Sequence, residues 1–390
     1  MSGLVRRFSA LLDPISVDAF SANVAGKSHL YIPGRDDKFA NVASWEAINR
    51  LLEQSSLWTG RLLTLAKNGP TLDPETYCAP DVDPDGHRVM RPVPELVRQQ
   101  LNEGATIVLN HADGLTPEMA AVSACLQLHF RAPIKCNIYC SWQENQGFAT
   151  HFDGRDVLVL HIAGKKYWNL YDGVYELPMS GSAYEFRLGH EENERLKGNC
   201  IERLEMTPGD LLYIPRGQYH DAIASSDASL HLTFGVVPML GIDAFDSLKT
   251  ALSEDALFRL PLPHLDDKPA LQAHIDRLAQ RLGDIFKAPE TAAMVREGQK
   301  SAALQEFFSV YNFPDMQKLS TFQVCHEVTP ALRSGRDGPQ IQSMAIPDWL
   351  DGRDYFTDVD FAAAFADQNE QDRTALIKQL ILSGCIFQVR

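Results

Sequence analysis

The stretch ATHFDGRDVLVLHIAGKKYWNLYDG, residues 149–173, decides the fold that we expect for this chain. It places His151 and Asp153 one residue apart at the head of an apolar run. Successive side chains of a strand point to opposite faces, so residues two apart share a face. If a strand runs through residues 149–153, both side chains project into whatever that face encloses. The alternative is a polar turn, because a lone His-x-Asp pair more often belongs to surface or capping chemistry.

A second stretch, TPGDLLYIPRGQYHDAIA at residues 207–224, favours a metal site over a turn. Glycine and proline stand at its turn positions, the apolar run LLYI between them predicts a strand, and His220 follows the second turn. Non-haem Fe(II) sites commonly use two histidines and one carboxylate on one face of an octahedron. His151, Asp153 and His220 supply that donor set, so they are the candidate metal ligands.

The region around both stretches predicts a mainly β core. From about residue 104 to 238, β-prone runs alternate with turn residues, a spacing typical of a sandwich or barrel. The predicted strands are ATIVLN, IKCNIYCSW, DVLVLHI, KYWNLY, CIERLEM, DLLYIP and LHLTFGVV. A single helix is predicted within this region, from TPEMAAVSACLQLHF.

Three further parts flank the predicted core of residues 104–238. Residues 1–103 mix short helical patterns with loops rich in Pro, Asp and Gly, which predicts a mixed α/β N-terminal cover. Residues 239–304 carry apolar residues at three- and four-residue steps, which predicts helices. Residues 305–390 end in a predicted helix from Asp372, stopped at Gly384 and followed by the β-prone CIFQV, as in a small helix-plus-wing module.

Composition limits the classes of function. The chain has 390 residues, 45% of them hydrophobic, and a formal net charge of -15. It is long enough to bury a sizeable core, and the acidic balance disfavours direct nucleic-acid binding, which needs a surplus of Lys and Arg. The C-terminal part from residue 305 is also acidic, with 7 basic and 12 acidic residues. We therefore expect this part to serve as a scaffold or a docking element.

Apolar runs and cysteines indicate a cytoplasmic protein. No apolar stretch approaches the roughly 18 residues that span a bilayer, and the start MSGLVRRFSALLDP is a poor signal peptide. The seven cysteines are scattered, without the paired spacings of zinc ribbons or the density of a disulfide scaffold. Cys136 and Cys140, four residues apart, are predicted to share one face of a strand.

The two stretches resemble the JmjC-type 2-oxoglutarate oxygenases of the cupin superfamily, and within them the ribosomal oxygenases. The block Gly-x5-Pro-x-Gly-x2-His that ends at His220 is similar to the second cupin motif. CNIYCSWQENQGFATHFD, GKKYW and SLHLTF look like the JmjC group. The resemblance covers most of the chain. It implies a double-stranded β-helix (cupin/JmjC) core, then a helical dimerisation segment, then a winged-helix-like module, in a homodimer.

The resemblance also implies the site. His151, Asp153 and His220 would hold Fe(II), and 2-oxoglutarate would chelate the metal. Lys166, fifteen residues after His151, falls where the family carries the cation that pairs with the far carboxylate of 2-oxoglutarate. Its neighbour Lys165 should alternate outward.

Further cosubstrate contacts are implied at Asn137, which stands fourteen residues before His151, and at Tyr139 on the same strand face. Gly235 departs from the family pattern, because one related group has a small hydroxyl residue there. Thr233, two residues earlier on the same face, or a water would replace that contact. Of the remaining histidines, His231 is the one that we expect could line the same cavity.

The implied activity is a hydroxylation driven by Fe(II), 2-oxoglutarate and O2, with a protein side chain as substrate and a ribosomal protein as the favoured one. An acidic body suits basic ribosomal proteins. Hydroxylation of another peptide or a carrier-bound amino acid, a histone-type demethylase, and a non-enzymatic metal-binding cupin stay open as alternatives. The last would be expected to show degraded ligands, whereas all three are intact. No membrane partner is expected.

Overall fold

The computed structural model describes residues 7–142, 147–180, 188–224, 228–303, 321–324, 345–350, 353, 355–382 and 385–388. The chain divides into two compact units. The first comprises residues 1–129, 134–237 and 306–390, and the second comprises residues 130–133 and 238–305.

Among the described residues, twelve strands form the main body of the first unit. In chain order they are β1 (Leu30–Ile32), β2 (Leu63–Ala66), β3 (Cys78–Val82), β4 (Arg88–Pro92), β5 (Thr106–Leu109), β6 (Ile134–Trp142), β7 (Asp156–Ala163), β8 (Lys166–Val174), β9 (Cys200–Met206), β10 (Leu211–Ile214), β11 (Gln218–Ala224) and β12 (Ala228–Val236). Seven of them build a sheet in the order β1-β10-β7-β12-β6-β5-β2, and three build a second sheet in the order β11-β8-β9. Every pairing within both sheets is antiparallel.

The two sheets pack face to face, as expected from the resemblance to the cupin/JmjC fold. Alternate residues of the facing strands are apolar, and they meet in one buried cluster. Its members are Val157, Val159, Trp168, Leu170, Leu204, Met206, Leu212 and Ile214. Burial of each such side chain contributes about 1.5–3 kcal/mol, so this layer between the sheets holds them together. The predicted mainly β core is confirmed.

The N-terminal region adds to the main sheet at both edges. β1 pairs with β10 at one edge, and β2 pairs with β5 at the other. β3 and β4 form a separate hairpin. The helices of this region are Phe8–Leu12, Val17–Asn23, Trp45–Leu52 and Pro94–Asn102. Ser16 and Ser44 cap the second and third of these helices, since each hydroxyl accepts a hydrogen bond from a free backbone N–H of the first turn.

The helix predicted within the core spans Pro117–Phe130 and is buried along most of its length. A shorter helix, His190–Leu196, precedes β9. Cys136 and Cys140 are both buried on β6 as free thiols, on the strand face predicted for them.

The second unit is helical. Its helices are Gly241–Glu254, Lys268–Lys287 and Pro289–Ala303. The rings of Phe245 and Phe286 lie 4.9 Å apart and join two of them. Several large apolar side chains on this unit are exposed, among them Ile242, Leu262 and Leu265.

The C-terminal part has its own small core. β13 (Thr321–Val324) lies between β14 (Tyr355–Thr357) and β15 (Ile386–Gln388), and the helices are Ala345–Leu350, Asp358–Ala364 and Glu370–Leu382. Phe322, Phe356 and Phe361 are among its buried residues. The predicted winged-helix-like topology stays a prediction, because residues 304–320 and 325–344 lie outside the described residues, as does Gly384. Across the described residues, no helix is both long and apolar enough to cross a bilayer.

Candidate active site

His151, Asp153 and His220 lie together at one end of the space between the two sheets. One ligand atom of each lies within 4.8 Å of the others, and His220 Nε2 is 3.6 Å from Asp153 Oδ2. The main chains of His151 and His220 are joined by two hydrogen bonds of 3.0 and 2.8 Å. A third main-chain bond, from Gly217 N to Asp153 O at 2.9 Å, fixes the carboxylate's segment to the same turn. The structure therefore brings the three predicted ligands together.

Both imidazoles are oriented by the backbone. Nδ1 of His151 is 2.8 Å from the carbonyl oxygen of Ala149, and Nδ1 of His220 is 3.0 Å from that of Gln218. A carbonyl only accepts, so Nδ1 carries the hydrogen in each ring and Nε2 keeps a free lone pair. Metal-binding histidines are commonly held in this way, with the second nitrogen donating to a carbonyl or a carboxylate.

The electrostatics of His220 suit a ligand of a divalent ion. Burial, followed by the neighbouring His151, lowers the pKa of His220 to about 4. The imidazole is therefore uncharged at neutral pH, and its lone pair is available without loss of a proton. Two imidazoles and one carboxylate are a donor set that fits Fe(II), so the residues present fit the expected metal.

The segment of residues 149–153 does not form a strand. His151 forms only an isolated bridge with His220, and β7 begins at Asp156. Phe152 turns to the opposite side, where it stacks on Tyr175 at 4.5 Å and contacts Tyr219. This aromatic packing gives the segment its extended course without a strand ladder, which is why the side chains of His151 and Asp153 still converge.

Asp221 links the two segments that carry the histidines. It is 4% exposed, and its carboxylate accepts hydrogen bonds from Thr150 Oγ1 at 2.8 Å, Tyr171 OH at 2.6 Å and Asn169 Nδ2 at 2.7 Å. Thr150 precedes His151, and Asp221 follows His220. No sequence pattern marks Asp221, because its three donors come from distant parts of the chain.

Replacement of Asp221 by alanine should weaken both the fold and the metal site. Three donors would lose their acceptor, and unsatisfied buried groups cost about 1–3 kcal/mol each, so we expect a loss of about 3 kcal/mol in the free energy of unfolding. Cobalt(II) affinity should fall about 10- to 100-fold, as for other outer-shell changes. Urea unfolding and cobalt titration measure the two effects.

Asp221→Asn is the matched variant, because its amide keeps the shape and one acceptor oxygen. We expect an intermediate loss of cobalt affinity. A folded Asp221→Ala protein with wild-type cobalt affinity would show that Asp221 does not position the ligands.

The cavity beside the three ligands is walled by residues of both sheets. The residues that line it are Thr106, Tyr139, Gly147, Phe148, His151, Asp153, Val157, Val159, Lys166, Trp168, His220, Ala222, His231 and Thr233. Apolar walls with a few polar groups are typical of small-molecule sites.

Lys166 is the cation inside this cavity. Its side chain is buried, and Nζ donates to Ser141 Oγ at 3.1 Å. Thr106 Oγ1 also donates to Ser141, at 3.0 Å. Burial lowers the pKa of Lys166 to about 8, so the ammonium form still dominates at pH 7. Lys165 points outward as predicted and pairs with Glu205 at 2.7 Å.

Three residues that line the cavity each have a buried polar atom with no partner among the described residues. These atoms are Nε1 of Trp168, Nδ1 of His231 and Oγ1 of Thr233. Buried polar groups in native proteins are nearly always hydrogen-bonded, so three orphans in one cavity fit a polar ligand. An ammonium with two hydroxyls at the deep end adds a place for a carboxylate. The cavity thus fits a dicarboxylate such as 2-oxoglutarate.

The other predicted cosubstrate residues are placed as follows. Tyr139 lines the cavity and stacks on His231, with ring centroids 4.7 Å apart. Asn137 is two residues along the same strand and is hydrogen-bonded to Tyr139. Thr233 lies opposite Asn137 on β12. His231, which the sequence left in doubt, does line the cavity.

Ser141 and Thr106 are functional candidates that the sequence did not reveal. Ser141 stands opposite Ser229 on β12, six residues from Gly235. At about 3.3 Å per residue that separation is roughly 20 Å, so Gly235 lies far from the ammonium of Lys166. The hydroxyl groups nearest that ammonium thus come from β6 and β5.

Comparison with known proteins also indicates a JmjC domain in this chain. Residues 115–241 match the JmjC domain. The chain is 29% identical over 230 residues to the "Bifunctional lysine-specific demethylase and histidyl-hydroxylase NO66" of Dictyostelium discoideum, covering 58% of this chain and 41% of that protein. The protein of the same name from Drosophila persimilis is 27% identical over 315 residues, covering 74% and 43%. The chain thus spans about two-fifths of the length of these relatives.

Solved structures of one bacterial protein are similar in fold to this chain. The ribosomal oxygenase YcfD of Escherichia coli superposes with a TM-score of 0.53 at 17% identity, covering 96% of this chain and 98% of that one. A further structure of YcfD, in complex with cobalt and 2-oxoglutarate, gives a TM-score of 0.53 at 14% identity with the same coverage. The predicted cupin/JmjC architecture is therefore confirmed.

Proposed function

We propose that this chain, whose residues 115–241 form a JmjC domain, is an Fe(II)- and 2-oxoglutarate-dependent oxygenase that hydroxylates a protein side chain. The observation that carries the proposal is the convergence of His151, Asp153 and His220 beside a cavity that ends at Lys166. The solved relative YcfD has been captured with cobalt and 2-oxoglutarate, which supports the same ligands here.

The chain's own residues bind and orient the reactants. His151, Asp153 and His220 would hold the metal, and the three ligands leave its remaining positions to 2-oxoglutarate and O2. When bound, the metal and 2-oxoglutarate supply the oxidising chemistry: 2-oxoglutarate loses CO2 to become succinate, and one oxygen atom of O2 enters a substrate C–H bond. Val157, Val159 and other apolar walls exclude water from the reacting atoms.

The deep end of the cavity would take the far carboxylate of 2-oxoglutarate. Lys166 provides the charge there, and Ser141 and Thr106 provide hydroxyl groups. Tyr139, His231 and Thr233 line the same cavity as the three ligands and Lys166, so their side chains would contact the cosubstrate. Asn137 would act through its hydrogen bond to Tyr139.

The substrate that we favour is a side chain of a ribosomal protein. The names of the relatives support a protein substrate, since NO66 is called a histidyl-hydroxylase and YcfD a ribosomal oxygenase. The net charge of -15 would attract a basic protein at long range. We further propose that the chain acts in the cytoplasm as a homodimer joined through residues 239–304, whose exposed apolar side chains need a partner.

A lysine demethylase is the second candidate, because the name of the same relatives also contains that activity. Both reactions begin with hydroxylation of a C–H bond, so the site geometry does not separate them. The products do: hydroxylation adds 16 mass units to the substrate, whereas demethylation removes 14 per methyl group.

The test is 2-oxoglutarate turnover by the full chain. Protein reconstituted anaerobically with Fe(II) is given 2-oxoglutarate and then O2, with and without a ribosomal protein extract. Succinate is quantified, and the extract is analysed by mass spectrometry. We expect iron-dependent succinate formation and a gain of 16 mass units on one ribosomal protein.

Other outcomes separate the alternatives. Succinate without a ribosomal modification would keep the oxygenase and assign it another peptide or a carrier-bound amino acid. Loss of 14 mass units from a methylated lysine would establish the demethylase. A chain that binds iron but forms no succinate under any condition would be a non-enzymatic cupin.

A further inference from the structure

Trp168 stands midway between Lys166 and the candidate ligand His220. It is two residues from Lys166 on β8, so both side chains project from the same strand face, and both line the cavity. In the pairing of β8 with β11, the partner of Leu170 is His220. The level of Lys166 is therefore four residues from that of His220, about 13 Å along the strand, and Trp168 lies halfway.

The indole of Trp168 is fixed by its neighbours. It is 6% exposed, and its ring lies 5.9 Å from the ring of His220 and 5.6 Å from that of His231. Leu204, its partner on β9, belongs to the same buried cluster between the sheets. Because protein interiors are close-packed, the indole presents a rigid wall to the cavity.

The residue on the other side of Trp168 is small. Ala222 lies opposite Trp168 on β11, and both residues line the cavity. Leu204, in contrast, is not among the described residues that line it. Trp168 and Ala222 thus form an apolar wall between the ammonium of Lys166 and the three candidate ligands.

We propose that Trp168 sets the chain length of the 2-oxo acid that this chain accepts. The proposal deepens the proposed function, on which it rests, by assigning a residue that determines cosubstrate specificity. A 2-oxo diacid would be held at the three candidate ligands by its 2-oxo acid group and at Lys166 by its far carboxylate. Its methylene carbons would then lie against the apolar face of the indole.

Two fixed ends and a rigid wall make chain length decisive. A carbon–carbon bond is about 1.5 Å long, so an added methylene group lengthens the acid by about 1 Å. An acid held at both ends can take up this length only by bowing sideways. The indole closes the space on the β8 side, and the stacked rings of Tyr139 and His231 close it on the facing sheet.

Titration with three 2-oxo acids tests the role of Trp168. The full chain is loaded with cobalt(II) under anaerobic conditions, and calorimetry gives the Kd values of 2-oxoglutarate, of 2-oxoadipate, which is one methylene longer, and of oxaloacetate, which is one shorter. One methylene group in a fitted apolar pocket changes binding by about 10- to 200-fold, so the wild type should prefer 2-oxoglutarate over 2-oxoadipate by that factor.

The variant Trp168→Leu removes the wall. Its preference for 2-oxoglutarate over 2-oxoadipate should fall at least about 10-fold. Its preference over oxaloacetate should stay, because an acid that is too short gains nothing from added space. Trp168→Phe keeps an aromatic ring, and the first preference should fall less. This variant keeps the test available if circular dichroism shows that Trp168→Leu does not fold.

Leu204→Ala is the matched control for both variants. It opens a gap in the same cluster, on the side of the indole away from Ala222, since β8 lies between β11 and β9. We expect it to leave both preferences unchanged, because the wall toward the cavity is intact.

Two results would overturn the role of Trp168. One is the wild-type preference over 2-oxoadipate in both Trp168 variants, because a merely structural role weakens all three acids alike. The other is loss of the preference over oxaloacetate as well, which would trace the effect to the Lys166 end.

Failure of this proposal is distinguishable from failure of the proposed function, because succinate formation is measured separately. A Trp168-dependent preference without any succinate would refute the oxygenase alone, and succinate with unchanged preferences would refute the role of Trp168 alone. A cobalt-loaded chain that bound none of the three acids would refute both.

Discussion

Replacement of His220 by alanine is expected to abolish turnover by removing the metal. His220 is 3% exposed, its ring is held by Gln218, and its Nε2 faces Asp153. Changes in outer-shell residues alone cost roughly 10- to 100-fold in metal affinity, so loss of a ligand should cost more than about 100-fold. Cobalt(II) titration measures the affinity, and succinate formation measures turnover.

The control for this prediction is His274→Ala. His274 is also buried, at 7% exposure, but it lies on a helix of the second unit and is absent from the three-residue group. It should keep wild-type cobalt affinity. If His220→Ala stayed folded and bound cobalt as tightly as the wild type, the metal site proposed here would be refuted.

Lys166→Ala should mainly weaken binding of 2-oxoglutarate. The ammonium is buried, and hydrogen bonds to charged groups contribute about 1.5–3 kcal/mol, which corresponds to a rise in Kd of about 10- to 150-fold. Cobalt affinity should be retained, because Lys166 is absent from the three-residue group that could hold the ion. Calorimetric titration of the anaerobic, cobalt-loaded protein measures both constants.

Lys165→Ala is the matched control for Lys166→Ala, since the neighbouring lysine faces outward and pairs with Glu205. It should leave the Kd of 2-oxoglutarate unchanged. Unaltered 2-oxoglutarate affinity in Lys166→Ala would remove the assignment of this residue.

Because of Lys166, binding of 2-oxoglutarate should also depend on pH. Burial holds the pKa of Lys166 at about 8, so the ammonium loses its proton as the pH rises through this value, and 2-oxoglutarate binding should weaken. Lys166→Met lacks the ionisable group, so its already weak binding should not follow this pH profile.

Much of the core could be predicted from the sequence because it depends on local patterns. The apolar and turn residues placed β6 and β9 at the bounds that the structure shows, Ile134–Trp142 and Cys200–Met206. His151, Asp153 and His220 could be predicted as metal ligands because they lie on only two short segments, which turns bring together. Each of these features is encoded in a short continuous stretch of the chain.

The missed features depend on pairings between distant segments. β1 joins β10 across about 180 residues of chain, and no local pattern shows which strand will take an edge position. Ser141 became a partner of Lys166, and Asp221 became the acceptor for Thr150, only through the register of the two sheets. The course of the chain at His151 also depends on distant residues, since Phe152 packs in one cluster with Tyr171 and Tyr219.

The paired main-chain bonds between His151 and His220 have a consequence for how the protein acquires its metal. They hold the two ligands in register through the backbone, which needs no ion. Small zinc domains, in contrast, fold only as the ion binds, so the ion supplies their folding free energy. Here the conformational entropy of bringing the histidines together is lost during folding of the sheets. The ion would thus bind to a preorganised site and could be exchanged without unfolding the chain.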